Sequence, residues 1–386
     1  MARADAAPAS ITAPAKNHYA ILDGLRGVAA VIVVIFHLLE AHNGGDIHNQ
    51  IINHGYLAVD FFFLLSGFVV AYAYDDRWGG MGQWEFYKRR LVRLQPMVIL
   101  GSLIGAALFW FQIDPFYPLA AGTSAGQVLL LMVLGFALVP VTRSMDVRGW
   151  GENYPLNGPA WSLFFEYVAN ILYAVWLRRL SNIALGVFVA LAVVPLVHVA
   201  VFGERGDLIG GWTLDWEGTY IGLARVLFPF FAGVLLMRLG WRIQVKHAFA
   251  VCSLLLIVAL SMPRFGGKEA LWLNGLYEVF CVAVVFPLIV AIGAGEMRAG
   301  GTSLRIARVF GDLSYPLYIT HYPLVYIYMA WVVTQKVPVA QAAPVAIGVL
   351  AATLAVAWAS LKFYDLPVRR RLTARLLNRP SATPAS

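Results

Sequence analysis

Ile21-Leu-Asp23-Gly-Leu-Arg26-Gly-Val-Ala-Ala-Val-Ile-Val-Val-Ile-Phe-His37-Leu-Leu39 is apolar and long enough to cross a bilayer as a helix, yet it carries an arginine and a histidine. Arg26 and His37 are eleven positions apart, almost a whole number of helical turns. They therefore share one face, roughly 16 Å apart along the axis. Asp23 stands one turn before Arg26 on nearly the same stripe. Ionisable groups are costly in hydrocarbon and normally face a protein interior or a wet cavity, which makes this helix a candidate functional element. The competing reading is an arginine snorkelling to the interface and a histidine satisfied by a neighbouring helix.

The whole chain has this character. Its 386 residues are 60% hydrophobic and only 13% charged, with a mean hydropathy of +0.70. Such a profile implies an all-α, polytopic membrane bundle. Ten further apolar segments lie near 57–74, 96–112, 124–140, 159–177, 182–202, 218–238, 246–262, 272–293, 310–333 and 338–364. Residues 1–18, rich in Ala and Pro, read as a disordered cytosolic tail; 19–368 form the membrane domain, and 369–386 a basic cytosolic tail. A signal peptide is the rival reading of the N-terminus, but no small-x-small cleavage site follows Leu39. The net charge of +8 comes from Lys and Arg in short loops and the C-terminal tail, the signature of topology rather than of nucleic-acid binding. Anionic lipid or a phosphorylated cosubstrate fits that charge better. Cys252 and Cys281 form no motif, and no metal-ligand spacing occurs.

Loop charges set the orientation. The connections near 75–95, 178–181, 238–247 and 295–309 and the tail are basic, whereas those near 41–56, 113–123, 203–217 and 334–337 are nearly free of Lys and Arg. Between the basic connections at 75–95 and 178–181 lie three apolar segments, an odd number. One of them, within 96–140, must fail to cross, as a re-entrant or interfacial element. About ten crossings remain, with both termini cytosolic, in the inner (cytoplasmic) membrane of a cell.

Four stretches carry residues suited to chemistry. Lys88-Arg89-Arg90-Leu-Val-Arg93 follows the second helix, with Arg90 and Arg93 on one helical face, where guanidinium forks bind phosphate bidentately. Asp60 and Ser66 sit in Val59-Asp60-Phe-Phe-Phe-Leu-Leu-Ser66-Gly67-Phe68. Trp161-Ser-Leu-Phe-Phe-Glu166 places a carboxylate at a depth similar to that of His37, where it would orient an imidazole acting as general base. Ser314-Tyr315-Pro-Leu-Tyr318-Ile-Thr-His321 sets Ser314, Tyr318 and His321 along one helix face. There is no phosphate-binding glycine loop, His-Glu-x-x-His or Gly-x-Ser-x-Gly elbow. Any chemistry therefore runs on His, carboxylate and Arg, which suffices for acyl transfer from a thioester.

Taken in order, these stretches resemble the integral-membrane acyltransferase 3 family over roughly residues 19–371. The usual Glu-x-Pro near the end is here Asp365-Leu-Pro367. The resemblance implies transfer of an acyl group, most often acetyl, from cytosolic acyl-CoA to an extracytoplasmic or lipid-linked glycan, with no tightly bound cofactor. His37 would be the catalytic residue, with Glu166 and Asp60 beside it. Arg26, Arg89, Arg90 and Arg93 would serve the donor, and Ser66, Trp161, Ser314, Tyr315, Tyr318 and His321 would bind substrate. The rival class is a glycan or lipid exporter that uses Arg26, His37, Asp60 and Glu166 as a transport pathway.

Overall fold

The computed structural model describes residues 19–43, 50–295 and 301–377, so the expected tail over 1–18 lies outside the described residues, as do residues 378–386 of the basic tail. Among the described residues every regular element is helical. In chain order they are α1 (Ala20–Glu40), α2 (Ala58–Tyr74), α3 (Gln83–Leu108), α4 (Ala125–Phe136), α5 (Ala160–Val175), α6 (Asn182–Val197) and α7 (Trp216–Leu239). They continue with α8 (Ala248–Ser261), α9 (Trp272–Phe280), α10 (Phe286–Gly295), α11 (Thr302–Thr320), α12 (Tyr322–Thr334), α13 (Val339–Ala359) and α14 (Leu366–Leu376). Wider π-type turns at Cys281–Val285 and Ser360–Asp365 join α9 to α10 and α13 to α14.

Seven continuous helical stretches are long and apolar enough to cross a membrane, and four shorter apolar helices accompany them. The chain is a polytopic, all-α membrane bundle. The shortest of the four is α4, whose 12 residues reach only about 18 Å, well short of the ~30 Å hydrocarbon thickness. It lies against α3 within the 96–140 region where the charge parity requires a segment that does not cross. The basic stretch read as a connection is helical: Lys88, Arg89, Arg90 and Arg93 occupy the first three turns of α3, built from residues with high helix propensity. At the other end, Arg369, Arg370 and Arg371 belong to α14, so the boundary expected at 368 falls inside a helix.

The quoted stretch, α1, is the centre of the bundle. One side of it, including Ile21, Leu25, Ala29 and Val33, joins a cluster with α2, α5 to α8 and α10; Ala30, Val34 and Leu38 join a second cluster with α3, α4 and α12. Lipid offers no hydrophobic drive between helices, so close backbone approach must hold them. Gly27 meets the Phe310 carbonyl, where a Cβ would sit 2.2 Å from its oxygen, and α1 thereby seats on α11. Gly67 of α2 does the same against Phe230 of α7, at 1.8 Å. These two contacts fix the walls of the cavities described next.

Candidate active site

A cavity of about 510 Å³ opens between α1, α2, α3, α5, α11 and α14, toward the end of the bundle that carries the basic turns of α3. Arg26, Arg90, Arg93, Arg308 and Arg369 line it, together with Asp23, Asp312, Ser66, Glu166, Ser314 and Tyr315. Arg26 pairs with Asp23 at 3.1 Å and Arg369 with Asp365 at 2.9 Å. Arg90 donates to Glu166 Oε1 at 2.7 Å, and the Ser66 hydroxyl donates to the same oxygen at 2.6 Å. Arg93 has no carboxylate partner among the described residues; its guanidinium lies 5.9 Å from the centre of the Tyr315 ring. Tyr315 in turn donates to the Leu94 carbonyl, and Ser314 to that of Gly311. Arg89 does not line the cavity; its Nε donates to Glu85 at 3.1 Å.

A second cavity, of about 500 Å³, lies toward the opposite end and is lined by His37, Glu40, Glu152, Asp207, Arg205, Arg225 and Tyr322. Trp150, Trp161 and Trp212 add aromatic faces. His37 Nδ1 lies 2.9 Å from Glu40 Oε2. An ionised carboxylate only accepts, so Nδ1 carries the proton and the Nε2 lone pair is left free, the tautomer a general base requires. His321 stacks on His37 with ring centres 5.8 Å apart. Its Nδ1 contacts two carbonyls, Tyr318 at 2.8 Å and Leu317 at 3.1 Å, which fixes its proton there as well, and its buried Nε2 has no partner.

Two loop carboxylates in this cavity are perturbed. Burial pushes Glu152 up to about 7, against the pull of Arg148 and of the Tyr326 hydroxyl, which donates to it at 2.6 Å. Burial and the neighbouring Glu278 also raise Asp207, although Arg264 binds it at 2.9 Å. Among the described residues no group of three His, Cys, Asp or Glu side chains could hold a metal ion.

The structure brings together some of the expected residues and separates others. Arg26, Arg90, Arg93, Ser66, Ser314 and Tyr315 share the first cavity; His37 and Trp161 share the second. Glu166 does not reach His37. Its face of α5 turns toward Ser66 and Arg90 in the first cavity, at the basic end, so a count of residues along α5 did not fix which chamber it enters. Glu40 orients His37 instead. Asp60, expected beside His37, lines neither cavity: both of its oxygens are held by Arg225, at 2.7 and 3.2 Å, in full burial. Glu40, Glu152, Asp207 and Arg225 were all missed by the sequence reading. For Glu40 the signal was present, since His37 and Glu40 stand three apart on one helix. For Arg225 it was the cost of an arginine inside an apolar helix.

Val59 and Tyr318 line both cavities, so the two chambers abut there. The Tyr318 hydroxyl lies 2.7 Å from Ser162 Oγ, and its ring stands edge-on to Phe62 with centres 5.3 Å apart.

No solved structure matches this chain. Residues 19–362 match the model of a family described as an acyltransferase domain. "Protein 2 in picA locus" of Rhizobium radiobacter is 35% identical over 48% of this chain and 97% of its own length. "Acyltransferase MdmB" of Streptomyces mycarofaciens is 26% identical over 79% of this chain and 78% of its own. "O-acetyltransferase OatA" of Staphylococcus aureus is 24% identical over 91% of this chain, which spans only 57% of that protein. With the family match running from the start of α1 into the turn before α14, this chain belongs to the acyltransferase 3 family and is a multi-pass membrane acyltransferase.

Proposed function

We propose that the protein transfers an acetyl group from acyl-CoA to a hydroxyl of a glycan, with His37 as general base. The observation that carries this reading is the pair of abutting chambers, one walled by arginines and the other holding the His37–Glu40 dyad. Arg26, Arg93, Arg308 and Arg369 suit the phosphates of CoA, and Arg93 and Arg308 have no carboxylate at ion-pair distance among the described residues. Arg90 is committed to Glu166 and acts through the wall it builds. The three tryptophans and the carboxylates of the second chamber suit the apolar faces and hydroxyls of sugar rings.

In this reading the acceptor hydroxyl enters the second chamber and gives its proton to His37 Nε2 as its oxygen attacks the thioester carbon. Glu40 stabilises the imidazolium that forms. Collapse of the tetrahedral adduct breaks the C–S bond, and the CoA thiolate recovers the proton from His37. The basic end faces the cytosol, both termini lie there, about ten segments cross the cytoplasmic membrane, and anionic lipid contacts the basic rim. The geometry favours the exporter reading less, since Arg26 and Glu166 line one chamber, His37 the other and Asp60, buried against Arg225, neither.

Mass spectrometry of surface glycans from cells with and without the protein tests the proposal. An alkali-labile acetyl ester should be present with the protein and lost without it. Identical glycan spectra would count against it, and unmodified glycan retained inside the cells lacking the protein would favour export.

A further inference from the structure

We infer that the Tyr318 hydroxyl is a catalytic hydrogen-bond donor to the acyl carbonyl oxygen, placed where the two chambers meet. The inference rests on the acyl-transfer reading above and adds the group that receives the developing negative charge. If a thioester reaches from the arginine chamber and a hydroxyl approaches beside His37, the reacting carbon must sit at the boundary between them. Tyr318 is the polar side chain that lines both chambers, and it is 7% exposed.

The hydrogen-bond directions at this boundary favour a poised donor. Ser162 Oγ donates its single proton to the Pro159 carbonyl at 3.0 Å. The Tyr318 hydroxyl then donates across the 2.7 Å contact to Ser162 Oγ, and the Pro159 carbonyl is a second acceptor for it at 3.5 Å; in either case its proton rests on a neutral oxygen. Phe62 packs edge-on against the Tyr318 ring, and the His321 ring lies 6.1 Å away. With the ring held, only rotation about the phenolic C–O bond is needed to redirect the proton to a carbonyl oxygen, so the donor is preorganised at little cost. As the acceptor oxygen bonds to the carbonyl carbon, the C=O π pair moves onto oxygen and Tyr318 O–H donates to it. The pair returns to re-form C=O when the C–S bond breaks, and Tyr318 ends the cycle with its own proton.

The test is steady-state transfer from radiolabelled acetyl-CoA to the envelope glycan of the source cells, with the full-length protein in its membrane. Tyr318→Phe keeps the ring and removes the donor, so kcat should fall about 10²-fold, while KM for acetyl-CoA stays within about twofold because the bond forms in the transition state. Ser162→Ala removes one resting partner of the hydroxyl and leaves it the Pro159 carbonyl, so it should cost less than about threefold in kcat. A Tyr318→Phe enzyme with wild-type kcat, or one whose loss lies wholly in KM, would overturn the inference. A loss of about 10²-fold in Ser162→Ala, which keeps the Tyr318 donor, would overturn it too by tracing the effect to the resting bond, and this arm is readable even if Tyr318→Phe fails to insert. Wild-type protein that transfers no acetyl from acetyl-CoA would instead sink the acyl-transfer reading itself.

Discussion

Replacing His37 by Ala should lower acetyl transfer by roughly 10²- to 10⁴-fold, the range for losing a positioned general base, while acetyl-CoA still binds. The separation of effects follows from the two chambers, because His37 lines only the second, and Arg26, Arg93, Arg308 and Arg369 line only the first. Glu40→Gln should give a smaller loss. The amide still accepts from Nδ1–H, so the tautomer survives, but the charge-assisted part of the bond is lost. That difference of ~1.4 kcal/mol corresponds to about 10-fold in rate. Arg93→Ala should show the opposite pattern, a raised KM for acetyl-CoA with kcat little changed. Equilibrium binding of acetyl-CoA beside single-turnover transfer separates these outcomes. A His37→Ala protein that transfers at the wild-type rate would move the base elsewhere, and Glu166→Gln with the larger defect would return the carboxylate role to Glu166.

Asp60→Ala should cost ~3–5 kcal/mol of stability, because it leaves Arg225 as an uncompensated buried charge. Arg225 and Asp60 are 1% and 0% exposed. Arg225 also donates to the carbonyls of Gly210 and Tyr56, and its guanidinium lies 5.2 Å from the Trp161 ring centre. The pair therefore ties α2 and α7 to the wall of the His37 chamber. Replacing both partners, with Asp60→Leu and Arg225→Met, should be less damaging than Asp60→Ala alone, since it removes both desolvated charges together. Thermal unfolding in detergent, followed by helical circular dichroism, measures both. Equal midpoints for wild type and Asp60→Ala would show that the ion pair carries no such role.

How far the sequence could be read depended on whether axial position sufficed. The placement of Arg26 and His37 on one helix followed from spacing, and charge parity predicts a non-crossing element in the 96–140 region that holds α4, the shortest of the apolar helices. Glu166 shows the limit. The count set it level with His37, yet it lines the other chamber, because the rotation of α5 against α2, α3 and α7 decides which neighbours it meets. Arg225 and Glu278 lay in long apolar segments and so had the same warrant as Arg26, the cost of a charge in hydrocarbon. Glu278 meets His54 at 2.9 Å, a pairing across 224 residues that no local pattern encodes. The break between α11 and α12 at His321 was hidden for another reason: the apolar run continues through it, and the turn appears only in the backbone.

Donor and acceptor are proposed to reach one reacting centre from opposite ends of the bundle. Sealed membrane vesicles of defined orientation test it directly, with radiolabelled acetyl-CoA added from outside. Inside-out vesicles, which in the proposed orientation expose the basic end, should place label in an alkali-labile ester on the glycan, and right-side-out vesicles should not until they are permeabilised. Equal labelling in both orientations, or labelling from right-side-out vesicles alone, would contradict the account.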